Sequence, residues 1–394
     1  MANVVVVGSG IIGLAVGARL AARGDDVTII DKESGPAQHQ TGRNSGVIHS
    51  GLYYTPGSHR AEMCRAGAAS IREFAEARGI PVEICGKLVV APTEAQRPGL
   101  QRLADRAQAN GVSARLISPA EAREFEPNVR CVAALRVDAT GIIDYPGVCR
   151  ALAADVACTG EIRFDTAFVS ARADGSGVRV TTSAGDLHAD HLVACAGLHS
   201  DRVARASGLE PEARIVPFRG EYYELTEARR GLVNGLIYPV PDPRFPFLGV
   251  HLTKMVNGEV HAGPNAVLAL AREGYRWRDI DLGDLRDSLA WPGLWRMGAR
   301  NLVPGAREVA RSISKRLFAK SLAELVPAIT ADDLEPATAG VRAQAMRRDG
   351  TLVDDFLIQT APRQIHVLNA PSPAATCALE IARHIVDRLD ATAA

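Results

Sequence analysis

The chain carries no net charge: 45 lysines and arginines balance 45 aspartates and glutamates over 394 residues. With no excess of either sign, no long-range field recruits nucleic acid or an anionic membrane, and small molecules are the expected partners. Cysteine pairing is also missing. The seven cysteines, at 64, 85, 131, 149, 158, 195 and 377, are scattered and odd in number, with no CxxC. That argues against a disulfide framework or a zinc site, and for a reducing, cytoplasmic setting. No run of about eighteen apolar residues occurs, so a spanning helix is not expected. A strand pattern starts at Val4, leaving no room for a secretory leader before it. Internal repeats and low-complexity tails are absent. What is present is 47% hydrophobic residues, enough for a large buried sheet, in a length that suggests two intimately joined domains.

The most informative segment is the opening one. Val4-Val5-Val6-Val7 runs into Gly8-Ser9-Gly10-Ile11-Ile12-Gly13, then an apolar helix, then Val27-Thr28-Ile29-Ile30-Asp31. Strand, glycine turn, helix, strand and terminal acid make up a dinucleotide site. Gly8 permits the tight turn, Gly10 lets a pyrophosphate approach the backbone, and Gly13 lets helix and sheet pack closely. The helix beginning near Gly10 offers free N–H groups and a positive dipole end to phosphates. Asp31 is placed to hold ribose hydroxyls.

A loop at 39–51 and a helix over about 60–78 follow, then a strand at 88–91 and a charged helix near 100–110. A loop-rich stretch reaches Pro127, and another helix spans 147–157. Short strands at 167–169, 178–182 and 191–195 are separated by Asp174-Gly175 and Ala184-Gly185-Asp186 turns. The last of these strands runs into Ala196-Gly197, a second place where a parallel strand delivers backbone to a cofactor. Further strands are expected at 221–225, 247–252 and 259–262, with prolines at 239, 241, 243 and 246 in the loop between the first two. Residues 280–330 look helical, and a strand at 365–368 precedes a terminal helix at 377–389. The nucleotide domain is therefore expected in three pieces, 1–85, 145–214 and 335–394. Residues 86–144 and 215–334 form an antiparallel platform, in an α/β (mixed α+β) chain.

Several stretches resemble one family. They are His39-Gln40-Thr41-Gly42-Arg43-Asn44-Ser45-Gly46-Val47-Ile48-His49-Ser50-Gly51 with Tyr53-Tyr54, and Arg219-Gly220-Glu221-Tyr222-Tyr223. Next come Tyr238-Pro239-Val240-Pro241-Asp242-Pro243-Arg244-Phe245-Pro246-Phe247-Leu248-Gly249-Val250-His251 and Gly263-Pro264-Asn265-Ala266. Gly340-Val341-Arg342-Ala343-Gln344 and Asn369-Ala370-Pro371-Ser372-Pro373-Ala374-Ala375 complete the set, in order along the whole chain. The chain is similar to the D-amino-acid-oxidase-like (glycine-oxidase-like) FAD oxidoreductases, and within them to the branch that oxidises L-2-hydroxyglutarate. The proline-rich central stretch is the specific part.

The resemblance implies a Rossmann-like FAD-binding domain beside an antiparallel-sheet substrate domain. It implies that Gly8, Gly10, Gly13 and Asp31 hold the ADP half, with Ile11, Ile12, Lys32 and Thr41 beside them. Val169 would meet the adenine side, and Ala196 and Gly197 the pyrophosphate. Arg43, Asn44, Ser45 and Gly46 would approach the flavin end. Ser372, Pro373, Ala374 and Ala375 would lie under the ring near a helix N-terminus. The family often has a glycine-rich turn at that last position, which this chain lacks. The implied reaction converts L-2-hydroxyglutarate to 2-oxoglutarate, with electrons passed to oxygen, a quinone or another carrier. An amine or amino-acid oxidase (glycine, sarcosine or D-amino acid), an oxidase of a different 2-hydroxy acid, and a flavin-binding sensor without turnover are the alternatives on the same scaffold.

Such chemistry needs a base for the hydroxyl proton and cations for the carboxylates, and no metal. His49 and His251 are the candidate bases, each with a structural reading as the alternative. Related flavoproteins also attach FAD through a histidine in a loop like that of His49. Arg342 lies in a segment resembling the one that carries the carboxylate-binding arginine of amino-acid oxidases. Arg219 and Lys254 are candidates for the second carboxylate, and Tyr54, Tyr223 and Tyr238 for hydroxyl donors. Trp277, Trp291 and Trp295 with Arg296, Arg300 and the basic run 315–320 read as core helices with a basic outer face, or as a surface docking peripherally on the inner membrane.

Overall fold

The computed structural model describes residues 1–242 and 248–392. Its first layer is a six-stranded sheet, ordered 357–361, 364–369, 191–194, 3–7, 26–30 and 161–163. All neighbours are parallel except the edge hairpin 357–361/364–369. The opening valines divide between its two faces, as the period of two requires. Val4 and Val6 pack under the helices Ile11–Arg23, Tyr145–Ala157 and Ala378–Leu389. Val5 and Val7 pack against the meander 168–174, 177–182 and 185–189. Three separated stretches of chain thus build this layer.

The second layer is an eight-stranded mixed sheet, ordered 334–336, 223–225, 260–263, 251–254, 236–239, 87–91, 133–137 and 114–117. Strands 87–91 and 236–239 pair in parallel, and the other neighbours are antiparallel. Leu88 and Val90 turn to one face, where Phe318 and Leu322 of helix Lys315–Ala323 cover them. Val89 and Ala91 turn to the other, under Leu100, Leu103 and Ala107 of helix Arg97–Ala109.

A third, three-stranded antiparallel sheet is ordered 267–268, 214–220 and 340–346. Its register pairs Phe218 with Arg342 and Arg219 with Val341. Opposed residues share a face, so Arg219 and Arg342 point to opposite sides.

Three expectations are corrected. The stretch expected as loop up to Pro127 contains strand Ala114–Ile117 and helix Pro119–Phe125. A capping box starts that helix: the Ser118 hydroxyl accepts from the Glu121 N–H, and the Glu121 carboxylate accepts from the Ser118 N–H. The strand expected at 221–225 starts only at Tyr223, and the longer strand Arg214–Gly220 before it carries the central register. The strand expected at 247–252 runs His251–Lys254, while residues 243–247 of the proline-rich stretch lie outside the described residues.

Candidate active site

A cavity of about 1300 Å³ is lined by both layers. On the parallel sheet its wall is the glycine turn. Gly8 has φ +103°, and a Cβ there would lie 2.6 Å from the Cys195 carbonyl oxygen. Around Gly10, by contrast, the nearest atom to a Cβ is the Thr41 hydroxyl at 3.6 Å, so this backbone faces open space. The helix that starts at Ile11 has no acidic residue in its first turn and no side-chain cap at Gly10. Thr41 Oγ1 accepts from the Ile11 N–H at 3.2 Å, and the positive helix end is otherwise presented to the cavity.

Asp31 also lines the cavity, where it braces the turn. Its Oδ2 accepts from the N–H and the hydroxyl of Ser9, both at 2.6 Å, and Oδ1 accepts from the Glu33 N–H at 3.0 Å. Lys32 bridges Glu33 and Glu273, with Nζ 2.7 Å from the Glu273 carboxylate. Val169, Ala196 and Gly197 complete this part of the wall, beside Ile11 and Ile12.

The loop 39–46 crosses the middle of the cavity. Asn44 holds its shape by donating to the Thr41 carbonyl at 2.8 Å and accepting from the Gly46 N–H at 2.8 Å. Gln40 accepts from the Ala343 N–H at 3.0 Å, which pins the loop to the central strand. Arg43 lies 4.0 Å over the Tyr275 ring, and Arg43, Asn44 and Ser45 all reach the cavity wall. Across from the loop are Ser372, Pro373, Ala374 and Ala375, just before the terminal helix. Thr376 ties the two together, since its hydroxyl accepts from the His49 N–H at 3.1 Å and lies 3.0 Å from the Tyr145 hydroxyl.

The chemical groups come from the mixed sheet, the three-stranded sheet and the 39–51 loop together. His251 Nδ1 lies 2.9 Å from the Gly249 carbonyl oxygen. A carbonyl only accepts, so Nδ1 carries the proton and Nε2 keeps its lone pair. The His251 ring stacks on Tyr238, with centroids 3.9 Å apart and planes at 24°. His49 Nε2 is 3.2 Å from the Ser372 hydroxyl, a group that can donate or accept. Both histidines are pushed down to about 3, first by burial. The cations of Lys87 and Arg60 add to this at His49, and those of Arg342 and Lys87 at His251. Both are neutral at physiological pH. Arg342 reaches the same wall, with Nη1 donating to the Asn265 carbonyl at 3.1 Å.

Tyr54 and Tyr238 are buried at this wall, which raises both hydroxyls above the usual tyrosine range. The structure adds groups that the sequence did not single out. Tyr53 lines the cavity, and its buried hydroxyl has no hydrogen-bond partner among the described residues. Tyr222 lines it beside Arg342, whose cation partly offsets the upward push of burial on the phenol. Arg60 lies 4.4 Å over the Tyr54 ring and donates to Asp354 and to the Ser372 carbonyl. Lys87, 1% exposed, sits behind the tyrosines.

Five residues assigned from the sequence do not reach the cavity wall. Arg219 points to the opposite face from Arg342, pairing with Glu221 at 3.2 Å under the Trp277 ring at 4.1 Å. Tyr223 packs on Phe318 at 4.8 Å between centroids, because alternation gives the cavity to Tyr222 instead. Lys254 is partnered by Glu83, 3.8 Å away. Gly46 (φ +62°) turns the loop, and a Cβ there would come within 3.0 Å of the Ile143 carbonyl oxygen. Gly13 lies in the helix–strand contact, where a Cβ would sit 1.9 Å from the Gly8 carbonyl oxygen.

The family described as FAD dependent oxidoreductase matches residues 3–388. The chain belongs to this FAD dependent oxidoreductase family. An L-2-hydroxyglutarate dehydrogenase from Salmonella houtenae is 43% identical over 99% of this chain and 94% of the relative. The mitochondrial L-2-hydroxyglutarate dehydrogenase of Homo sapiens is 40% identical over 98% of this chain and 88% of its own. Among solved structures, an L-alpha-glycerophosphate oxidase from Mycoplasma pneumoniae with FAD bound has a TM-score of 0.80 at 23% identity, covering 99% of this chain and 94% of that one. Glycine oxidase from Geobacillus kaustophilus has a TM-score of 0.75 at 19% identity, covering 99% and 95%. These two share the fold.

FAD is the family's cofactor, and the cavity fits it. Its volume exceeds the roughly 300–1,000 Å³ of ordinary small-molecule sites. The helix end without acidic residues in its first turn and the bare Gly10 backbone suit a pyrophosphate. Replacing Gly13 with alanine is expected to lower folding stability by about 1–3 kcal/mol, as the new Cβ forces helix and turn apart. It should also loosen FAD. Denaturant midpoints and flavin absorbance retained after gel filtration measure the two effects.

Proposed function

We propose that this chain oxidises L-2-hydroxyglutarate to 2-oxoglutarate. The observation that carries the reading is its full-length likeness to L-2-hydroxyglutarate dehydrogenases from bacteria and mammals. FAD, when bound, supplies the acceptor for the hydride that leaves the hydroxyl-bearing carbon. The protein's part is to bind, orient and deprotonate. The Arg342 guanidinium is suited to clamp one carboxylate, held in place by the Asn265 carbonyl and flanked by the Tyr222 hydroxyl. His251 Nε2, with its tautomer fixed by the Gly249 carbonyl, takes the hydroxyl proton. Burial, with the nearby cations, sets its depressed basicity. A substrate with two negative charges opposes the nearby cations and raises its affinity for a proton. The parallel-sheet wall, from Gly10 to Gly197, is assigned to the nucleotide, and the stretch 372–375 to the flavin end.

The test is product identification. FAD-loaded protein, an artificial electron acceptor and L-2-hydroxyglutarate should yield 2-oxoglutarate, with D-2-hydroxyglutarate, glycine and lactate giving none. Turnover confined to glycine or another amine overturns the reading.

We further propose that electrons leave at a membrane surface. No helix among the described residues is long and apolar enough to cross a membrane. The helices at 292–323 nevertheless expose large apolar side chains: Trp295 at 63%, Leu302 at 70% and Ile313 at 74%. Of the tryptophans in this region, only Trp291 belongs to the core. Arg296, Arg300, Lys315, Arg316 and Lys320 lie along the same stretch of chain, a composition suited to an interface. The protein is expected to float with vesicles containing anionic lipid, and Leu302→Glu with Ile313→Glu to remain in the soluble fraction. Equal flotation of both proteins contradicts this.

A further inference from the structure

Lys87 is a buried cation behind the cavity wall that no step above uses. Strand 87–91 alternates its faces, so Lys87 shares the cavity side with Val89 and Ala91. The parallel register sets Lys87 opposite Leu236 and Val89 opposite Tyr238, which makes Lys87 and Tyr238 diagonal neighbours on one face. Nζ lies 4.5 Å from the Tyr53 ring centroid and 4.9 Å from that of Tyr238. Both rings line the cavity, and Lys87 does not. Tyr238 in turn stacks on His251.

No carboxylate pairs with this ammonium among the described residues. From helix His59–Ala77 it faces the Cys64 thiol, and from the loop and strand beyond it faces His49 and His251. The covering helix Arg97–Ala109 brings Arg102 and Arg106 to the cavity wall, while its Asp105 is exposed and accepts from Gln101. The cation is held by two aromatic faces and lacks a counter-ion.

We propose that Lys87 is the buried counter-charge of the substrate cavity: a positioning residue behind the Tyr53–Tyr238 wall that takes up a proton when a dicarboxylate enters. The inference rests on the function proposed above. Burying an unpaired ammonium favours its neutral form and holds Lys87 down to about 7. A dianion arriving on the far side of the rings favours the charged form, so a proton is drawn from solvent. The sign follows: dicarboxylate affinity falls as pH rises above neutral, because the proton must then be taken from a more dilute pool. The restored charge also steadies the Tyr238–His251 stack beneath the substrate.

The experiment is calorimetric titration of the oxidised, FAD-loaded protein with 2-oxoglutarate near pH 7.5, in buffers of different ionisation enthalpy. Wild type is expected to show net proton uptake. Lys87→Arg, permanently charged, should bind without uptake. Lys87→Met should bind roughly tenfold or more weakly, also without uptake. No uptake in wild type overturns the proposal whatever the variants do, as does undiminished uptake in either variant. A wild type that is reduced by L-2-hydroxyglutarate and binds 2-oxoglutarate without uptake removes Lys87 alone. A wild type that does neither removes the proposed function, and this inference with it.

Discussion

Arg342→Ala is expected to yield a yellow, folded protein whose KM for L-2-hydroxyglutarate rises roughly a hundredfold. The side chain reaches the cavity wall from strand Gly340–Met346, and its carbonyl contact to Asn265 fixes the guanidinium plane. Alanine removes the cation and leaves one substrate carboxylate without a partner in a poorly solvated space. Arg342→Lys should recover only part of the loss, since an ammonium lacks the planar fork that grips both carboxylate oxygens. Flavin absorbance in both variants should match wild type, because the nucleotide wall is built from other strands. Steady-state kinetics with the spectrum of each variant checks this, and an unchanged KM excludes Arg342 from the substrate site.

His251→Asn is expected to lower kcat by roughly 10²- to 10⁴-fold with a smaller effect on KM. The fixed tautomer carries the argument: only Nε2 of His251 is committed to being a lone pair. His49, shared with the Ser372 hydroxyl, is expected to lose less on the same substitution. The pH profile adds a second readout. A base held down to about 3 in the free enzyme must be unprotonated to work, so kcat/KM should stay level through pH 6.5 and fall only in more acidic solution. A limb centred near 6.5 would mean that the base titrates as an exposed histidine does. If His49→Asn proves far more damaging than His251→Asn, the two roles are exchanged.

The glycine turn proposed for the nucleotide is legible in the sequence because its parts are local. Gly8, Gly10, Gly13 and Asp31 lie within 31 residues, and each has a requirement that spacing alone expresses. Gly13 shows this most clearly, for the close contact it permits is with Gly8, five positions earlier. The substrate half depends on register, which sequence does not state. The sequence offers Arg342 as the first carboxylate clamp and Arg219 as a candidate for the second carboxylate. Only the pairing of Phe218 with Arg342 shows that they face opposite sides. The same alternation exchanges Tyr223 for Tyr222. Lys87 gave no signal, because what sets it apart is the parallel pairing with a strand about 150 positions later in the chain. Lys254 is a candidate for the second carboxylate in the sequence, where nothing local indicates Glu83 as its partner. The capped helix at 119–125 is a different case: Ser118-Pro119-Ala120-Glu121 states its start in the sequence.

The most direct measurement mixes purified, oxidised protein with L-2-hydroxyglutarate in the absence of oxygen and follows the visible absorbance of the flavin. Bleaching by this substrate, with the D-enantiomer, glycine and L-lactate leaving the colour intact, is the predicted result. A protein that cannot be reconstituted with FAD, or whose colour yields only to an amine, contradicts the account.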